Sequence, residues 1–254
     1  MKHLIFLLIV LLSMPAFAQQ SDANPPAPGF NASASDAKAI EVADVVMQAM
    51  GGRQNWDATR YITWRFFGVR LLIWDKYTGD VRVESGDMTY LVNINDNTGR
   101  VQRAGQEITD PDSLQVYVQQ GISIWINDSY WLVMPFKLKD SGVTLRYLGE
   151  RNTAENQTAD VLQLTFEGVG RTPQNKYHVY VDKTSRLVTQ WDFFGQYSDE
   201  TPRFSNAWTN YQPHGNILLS DGRGQRAHTQ VGVYDHLPES VFKSFDPVDL
   251  SDMK

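Results

Sequence analysis

Four histidines follow the first eighteen residues, His178, His214, His228 and His236, and they are the side chains most suited to acid–base or metal chemistry. They form no H-x-H or H-x-x-x-H pair and fall in different predicted strands or loops. His178, Tyr180 and Asp182 alternate along one strand face, which can orient an imidazole, but no nucleophile accompanies them. A structural polar ladder is the expected reading. His214 and His228 could share a metal with an aspartate only if strand pairing joined them, so no metal or cofactor is expected. There is no G-x-S-x-G elbow and no Walker loop, and Gly222-Arg223-Gly224 lies between two predicted strands, where it reads as a turn. No catalytic residue is expected.

The aromatic residues carry more. Of seven tryptophans, Trp64, Trp74, Trp125, Trp131 and Trp191 sit inside apolar runs. Large rings with few polar groups line small-molecule sites, and they also fill ordinary β cores. The candidate chemistry is therefore binding. The expected hydrophobic cavity comprises Trp64, Phe66, Trp74, Trp125, Trp131, Met134, Phe136 and Trp191.

The element that must position them is Asn127 to Leu145. Pro135 lacks an N–H and disfavours helix before it, so the apolar run Trp131 to Phe136 is expected as a strand buried on both faces. Upstream, Pro111 after Asp110 opens a helix over Asp112–Ile126, with Leu114, Tyr117, Val118, Gly121, Ile122 and Trp125 as its apolar stripe. Gly121 weakens that helix by around 1 kcal/mol relative to Ala, which suits either a lid that shifts or a close packing contact. Helix and run together read as lid and floor of a cavity.

The rest of the chain is β-patterned. Residues 1–18 have a basic start, an apolar stretch Leu4 to Leu12 and Ala16-Phe17-Ala18, as in a secretory signal peptide cleaved after Ala18. Residues 19–35 are rich in Pro, Ala, Asn and Ser and read as a disordered tether. Residues 36–254 form the domain. Ser35 and Asp36 start a first helix that Gly51-Gly52 closes. Strands follow over Ala58–Phe67, Val69–Tyr77, Asp80–Glu84, Met88–Asn95 and Gly99–Ala104, spaced too closely for crossover helices, so the sheet is antiparallel. Both faces of the first two strands are apolar and need cover. A second run of strands spans residues 143–234, and Phe242 and Phe245 are expected to staple the C-terminus to the sheet edge.

Composition narrows the partners. Removing residues 1–18 takes away Lys2 and no acid, leaving 22 basic residues against 29 acidic, a net charge of −7. Such a surface disfavours nucleic acid and anionic headgroups. The absence of cysteine excludes disulfides, thiolate metal sites and a lipid-modified cysteine. No run after the leader is long and apolar enough to span a bilayer.

The leader, the helix closing at Met50-Gly51-Gly52 before Trp56, Asn127-Asp128-Ser129-Tyr130-Trp131 after the second helix, and the hairpin strand Tyr177-His178-Val179-Tyr180-Val181-Asp182 resemble the LolA/LolB-like lipoprotein-carrier superfamily. The likeness is to its secreted branch with a YWLxMPxKLxDPGV-like segment, in which Ser141 here replaces proline. The resemblance implies an α+β fold, one large antiparallel sheet curled into an unclosed barrel with helices over its concave face. It also implies a soluble periplasmic carrier of lipid or lipoprotein acyl chains, not an enzyme. In such carriers an arginine of an early strand holds the lid helix, which makes Arg65 the first candidate and Arg70 the next. An envelope protein-interaction module with a filled core is the alternative, and a hydrolase built from the scattered His, Asp and Glu residues the lesser one.

Overall fold

The computed structural model of the protein describes residues 23–251, and the expected leader and its cleavage site lie outside them. The fold is α+β, with large antiparallel sheets that leave a barrel unclosed and a long mid-chain helix.

Helices α1 (Ala37–Ala49) and α2 (Gly52–Ala58) meet at Gly51, whose φ is +113°. A Cβ there would lie 2.3 Å from the Asn216 carbonyl, so only glycine fits this bend. Strands β1 (Tyr61–Phe66), β2 (Arg70–Asp75), β3 (Asp80–Ser85), β4 (Met88–Asn93), β5 (Thr98–Arg103) and β6 (Gln106–Glu107) run as an antiparallel meander. Helix α3 (Pro111–Val133) crosses it and runs into a 3-10 turn, Met134–Lys137. Strands β7 (Val143–Asn152), β8 (Thr158–Phe166), β9 (Lys176–Asp182), β10 (Val188–Phe194) and β11 (Phe204–Ala207) form a second meander. Strands β12 (Thr209–His214), β13 (Ile217–Arg223) and β14 (Arg226–Ala227) form a third sheet, and β15 (Thr229–Tyr234) returns to pair with β1 before α4 (Ser240–Lys243).

The expected single sheet is thus three hydrogen-bonded sheets in succession. The chain changes ladder at Trp208, whose N–H donates to the Thr189 carbonyl, and at His228, whose N–H donates to the Asp221 carbonyl. Strands that bend from one ladder to the next turn a corner, which curls the wall.

The run Trp131 to Phe136 is not a strand. The first three of these residues end α3, and Pro135 sits in the opening turn of the 3-10 segment. Proline forbids a helix interior but not a first turn. The run is apolar because Leu132, Val133, Met134 and Phe136 are all in the main core, with Phe136 stacked on Trp56 at 4.3 Å.

The expected tether also differs. From Asn24 onward it lies against the domain: the Ala27 N–H donates to the Lys139 carbonyl, and Asn31 and Asp36 donate to the Val143 and Leu145 carbonyls of β7. Asp36 stands at the N-cap of α1, but neither its side chain nor that of Ser35 caps the helix. Ser35 Oγ accepts from Leu145, and the Asp36 carboxylate accepts from the Tyr147 N–H and from Arg146. These bonds cover part of an edge strand that would otherwise template pairing with another chain.

The outer face of the first sheet is covered by the C-terminal segment. Leu237 and Val241 are buried on Tyr61, Leu71 and Ile73, and Phe242 stacks on Tyr61 at 6.1 Å. Arg82, 1% exposed, donates to the carbonyls of Val241, Ser244 and Asp246 and to Glu84. On the inner face α3 lies so close to β4 that a Cβ on Gly121 would be 3.0 Å from Tyr90 Cβ and Cδ1. Close packing explains this glycine. Gly121→Val should overpack the crossing and cost about 1–3 kcal/mol in chemical denaturation; an unchanged midpoint would show that the crossing can yield.

Candidate functional site

Helix α3 starts cleanly, with Pro111 in its first turn and the Asp110 carboxylate accepting from the Ser113 N–H at 2.9 Å. At twenty-three residues it is roughly 34 Å long. Its C-terminal half is apolar around much of its girth because it meets two surfaces. Val118, Gly121 and Ile122 are buried against the first sheet, while Tyr130 and Trp131 turn to the second.

Side chains fill the first of these contacts but not the second. Between α3 and strands β8 to β11 lies an open pocket of about 870 Å³. Ile126, Tyr130 and Trp131 form its helix side, and Phe166, Tyr177, Trp191, Phe193 and Phe204 its sheet side. The remaining wall is the loop after the 3-10 turn and the β8–β9 loop. Arg171 of that loop donates to Gln119 of α3 at 2.7 Å, spanning from sheet side to helix.

Electrostatically the pocket is quiet. Burial raises the Tyr177 phenol to about 12 and lifts Tyr130 well above its ordinary value too, so neither ionises near neutrality. Lys137 and Asp140, at the rim, are paired with each other. A volume of this size with ring walls and few polar groups suits a small apolar molecule.

Two arginines and a histidine hold the end of α3. Arg70 makes a two-pronged bond to Asp128, Nε to Oδ2 at 2.7 Å and Nη2 to Oδ1 at 2.9 Å, while its guanidinium lies 4.8 Å from the centre of the Phe66 ring. Asp128 has no exposed side-chain surface. Burial raises its pKa, with the Arg70 fork and the Asn127 amide pulling against that shift. One turn on, the Trp131 carbonyl accepts from Arg223 Nη2 at 2.5 Å, Arg223 Nε at 3.1 Å and His228 Nε2 at 3.2 Å. Desolvation drives His228 down to about 3, so it stays neutral.

Of the residues expected in the cavity, Trp125, Trp131 and Trp191 line the pocket. Trp64, Phe66, Trp74, Met134 and Phe136 do not: they are buried in the main core. Arg65 points to the other face and donates to Gln230 Oε1 at 2.8 Å at an exposed edge. Strand alternation separates it from Phe66, so the helix contact falls to Arg70. Sequence reading missed Tyr130, Phe166, Tyr177, Phe193 and Phe204. The i, i+2 spacing of Trp191 and Phe193 was a usable signal for part of that set.

The histidines stay apart in role. His178 lies 3.4 Å from Gln163 Oε1 and against Phe194, and burial takes it down to about 4. Tyr180 beside it donates to Asp192 at 2.8 Å, a polar ladder on the outer face. Gly224, at φ +66°, makes the β13–β14 turn. Among the described residues no three His, Cys, Asp or Glu side chains are grouped so as to hold a metal ion.

No protein-family model matches the chain, and a search of curated proteins finds no match. Solved structures similar to it include the following three. A DUF1329 family protein from Desulfovibrio piger is 12% identical with a TM-score of 0.42, covering 80% of this chain and 96% of its own. A putative outer membrane lipoprotein-sorting protein domain from Vibrio parahaemolyticus is 10% identical with a TM-score of 0.39, covering 81% and 96%. A LolA superfamily protein from Nitrosomonas europaea is 9% identical with a TM-score of 0.35, covering 80% and 96%. With TM-scores this low the likenesses add no weight to the pocket, whose reading stands on its own geometry.

Proposed function

We propose that the protein is a non-enzymatic carrier or sensor of an apolar ligand, a lipid or acyl chain, held in the pocket between α3 and the second sheet. The observation that carries this reading is the pocket itself, about 870 Å³ of open space walled by rings that its own side chains leave unfilled. Each CH₂ group moved there from water contributes about 0.8 kcal/mol. The signal-peptide reading of residues 1–18 supports a periplasmic setting. No helix of the described residues is long and apolar enough to cross a membrane.

Solvent extraction of the purified mature protein, followed by mass spectrometry, tests the reading, with uptake of a fluorescent fatty acid as a second readout. Lipid in the extract or saturable uptake supports it. Absence of both overturns it. Phe204→Asp provides the local test, since Phe204 is 39% exposed and lines the pocket. Uptake should weaken about tenfold or more while stability changes by about 0.5 kcal/mol or less. Equal losses in binding and stability would make Phe204 a packing residue only.

A further inference from the structure

The pocket differs from the core beside it in what it is made of. Aromatic residues are 12% of the chain, yet eight of the twenty-one residues lining the pocket are aromatic, against three aliphatic ones and no leucine or methionine. The main core a few ångströms away uses Leu132, Met134, Leu145, Leu162 and Met50 freely. The rings are also ordered. Tyr130 and Tyr177 flank Trp191 as one group, inclined to it by 30° and 27° with centroids 5.9 and 5.0 Å away, and tilted by 52° to each other. Trp131, Phe204 and Phe193 form a second, inclined by 19° and 25°. The two groups meet at steep angles, Trp131 to Trp191 at 79° and 4.7 Å and Tyr177 to Phe193 at 51° and 5.3 Å.

From this we infer that the ligand class is a neutral, rigid, flat multi-ring molecule bearing a hydroxyl or carbonyl group, rather than a flexible alkyl chain. The inference rests on the reading of the pocket as an apolar-ligand site and narrows it. A flat ring can lie along one group and present its edge to the other, gaining the offset and edge-to-face contacts that an alkyl chain cannot make. Ring walls have only two side-chain torsions each and keep their shape, whereas Met-rich walls are the ones that adapt to flexible guests. Of the two cations at the rim, Lys137 is ion-paired with Asp140, while Arg171 is held by a hydrogen bond to the neutral Gln119 amide and keeps its charge. Neutral groups fringe it, among them Thr172 and Asn175, joined by a 2.7 Å hydrogen bond, and these suit an uncharged polar substituent.

The test compares 1-pyrenemethanol with hexadecan-1-ol, alcohols of nearly equal carbon count, by equilibrium dialysis against the full mature chain. The pyrene alcohol is expected to bind about tenfold tighter or more, a difference of about 1.4 kcal/mol. Equal or tighter binding of the chain alcohol overturns the inference and leaves the apolar-ligand reading standing. Failure of both to bind overturns the two together. In Phe204→Leu and Tyr177→Leu, with folding checked by circular dichroism, the preference should fall to within about threefold while binding of the chain alcohol holds. If both ligands weaken equally, the rings are generic apolar walls and the inference fails.

Discussion

Arg70→Ala is expected to cost the folded protein about 3 kcal/mol, with the loss growing as pH rises. The variant removes one partner of a buried pair and leaves Asp128, with no exposed side-chain surface, uncompensated beside Phe66 and the end of α3. Burial already raises the Asp128 pKa in the presence of the guanidinium. Without it the carboxyl goes higher and takes up a proton in mildly acidic solution, which relieves part of the penalty. The folded variant then binds a proton that the unfolded chain, with an ordinary aspartate, has released. Its stability must therefore fall as pH rises through the folded pKa. Thermal melts should show the variant about 6–12 °C below the parent at pH 8 and closer to it at pH 5. Arg70→Lys restores the charge but not the fork and should recover only part of the loss. Arg65→Ala, which removes a solvent-exposed hydrogen bond to Gln230, should stay within about 0.5 kcal/mol. If Arg65→Ala proved the costlier variant, the assignment of the helix contact would be wrong.

That contrast marks what a single chain could and could not reveal. Strand existence was legible because turn residues such as Thr78-Gly79, Gly86-Asp87 and Asp182 to Ser185 punctuate alternating runs. Face assignment within β1 was legible too, since Ile62, Trp64 and Phe66 do share the inner face. What alternation could not say is which face α3 would cover. Arg65 and Arg70 both lie among large apolar residues in the sequence, and only the register Phe66 to Arg70 across the β1–β2 hairpin brings Arg70 to Asp128. The same gap misplaced the cavity. Trp64 and Trp74 are oily enough to line one, but both are buried in the main core, Trp74 against Trp125 of α3, and the unfilled space opens on the side of the helix that faces the second sheet. Pro135 misled for a narrower reason: a proline excludes helix interiors, and a helix that ends two residues earlier, at Val133, satisfies it as well as a strand does. The C-terminal cover was foreseen through Phe242 but placed at an edge rather than a face; the buried Arg82, which binds the carbonyls of that segment, gave no sign of this in the sequence.

Arg223→Ala should be the most damaging of the substitutions considered, at about 4 kcal/mol or more, and its loss should be nearly flat between pH 6 and 8. Arg223 is 2% exposed, with its guanidinium 3.5 Å from the centre of the Trp208 ring at the corner where the second sheet passes into the third. It donates to the carbonyls of Trp131, Ser220 and Gly222 and to Ser220 Oγ. Truncation leaves a void under Trp208 and deprives buried acceptors of their donor, each orphaned group costing about 1–3 kcal/mol. Desolvation brings the guanidinium down to about 9, still charged at neutrality in folded and unfolded chains alike, so no proton is exchanged on folding in that range. The flat profile separates this variant from Arg70→Ala, although both release the same turn of α3. The functional consequence goes further than stability. The Trp131 carbonyl is left with His228 alone, and the Trp131 ring belongs to the pocket wall and to the contact with Trp191. Where enough protein stays folded, uptake of a fluorescent fatty acid should fall with the melting temperature. A variant that lost stability but bound as the parent does would show that the end of α3 is not what shapes the pocket.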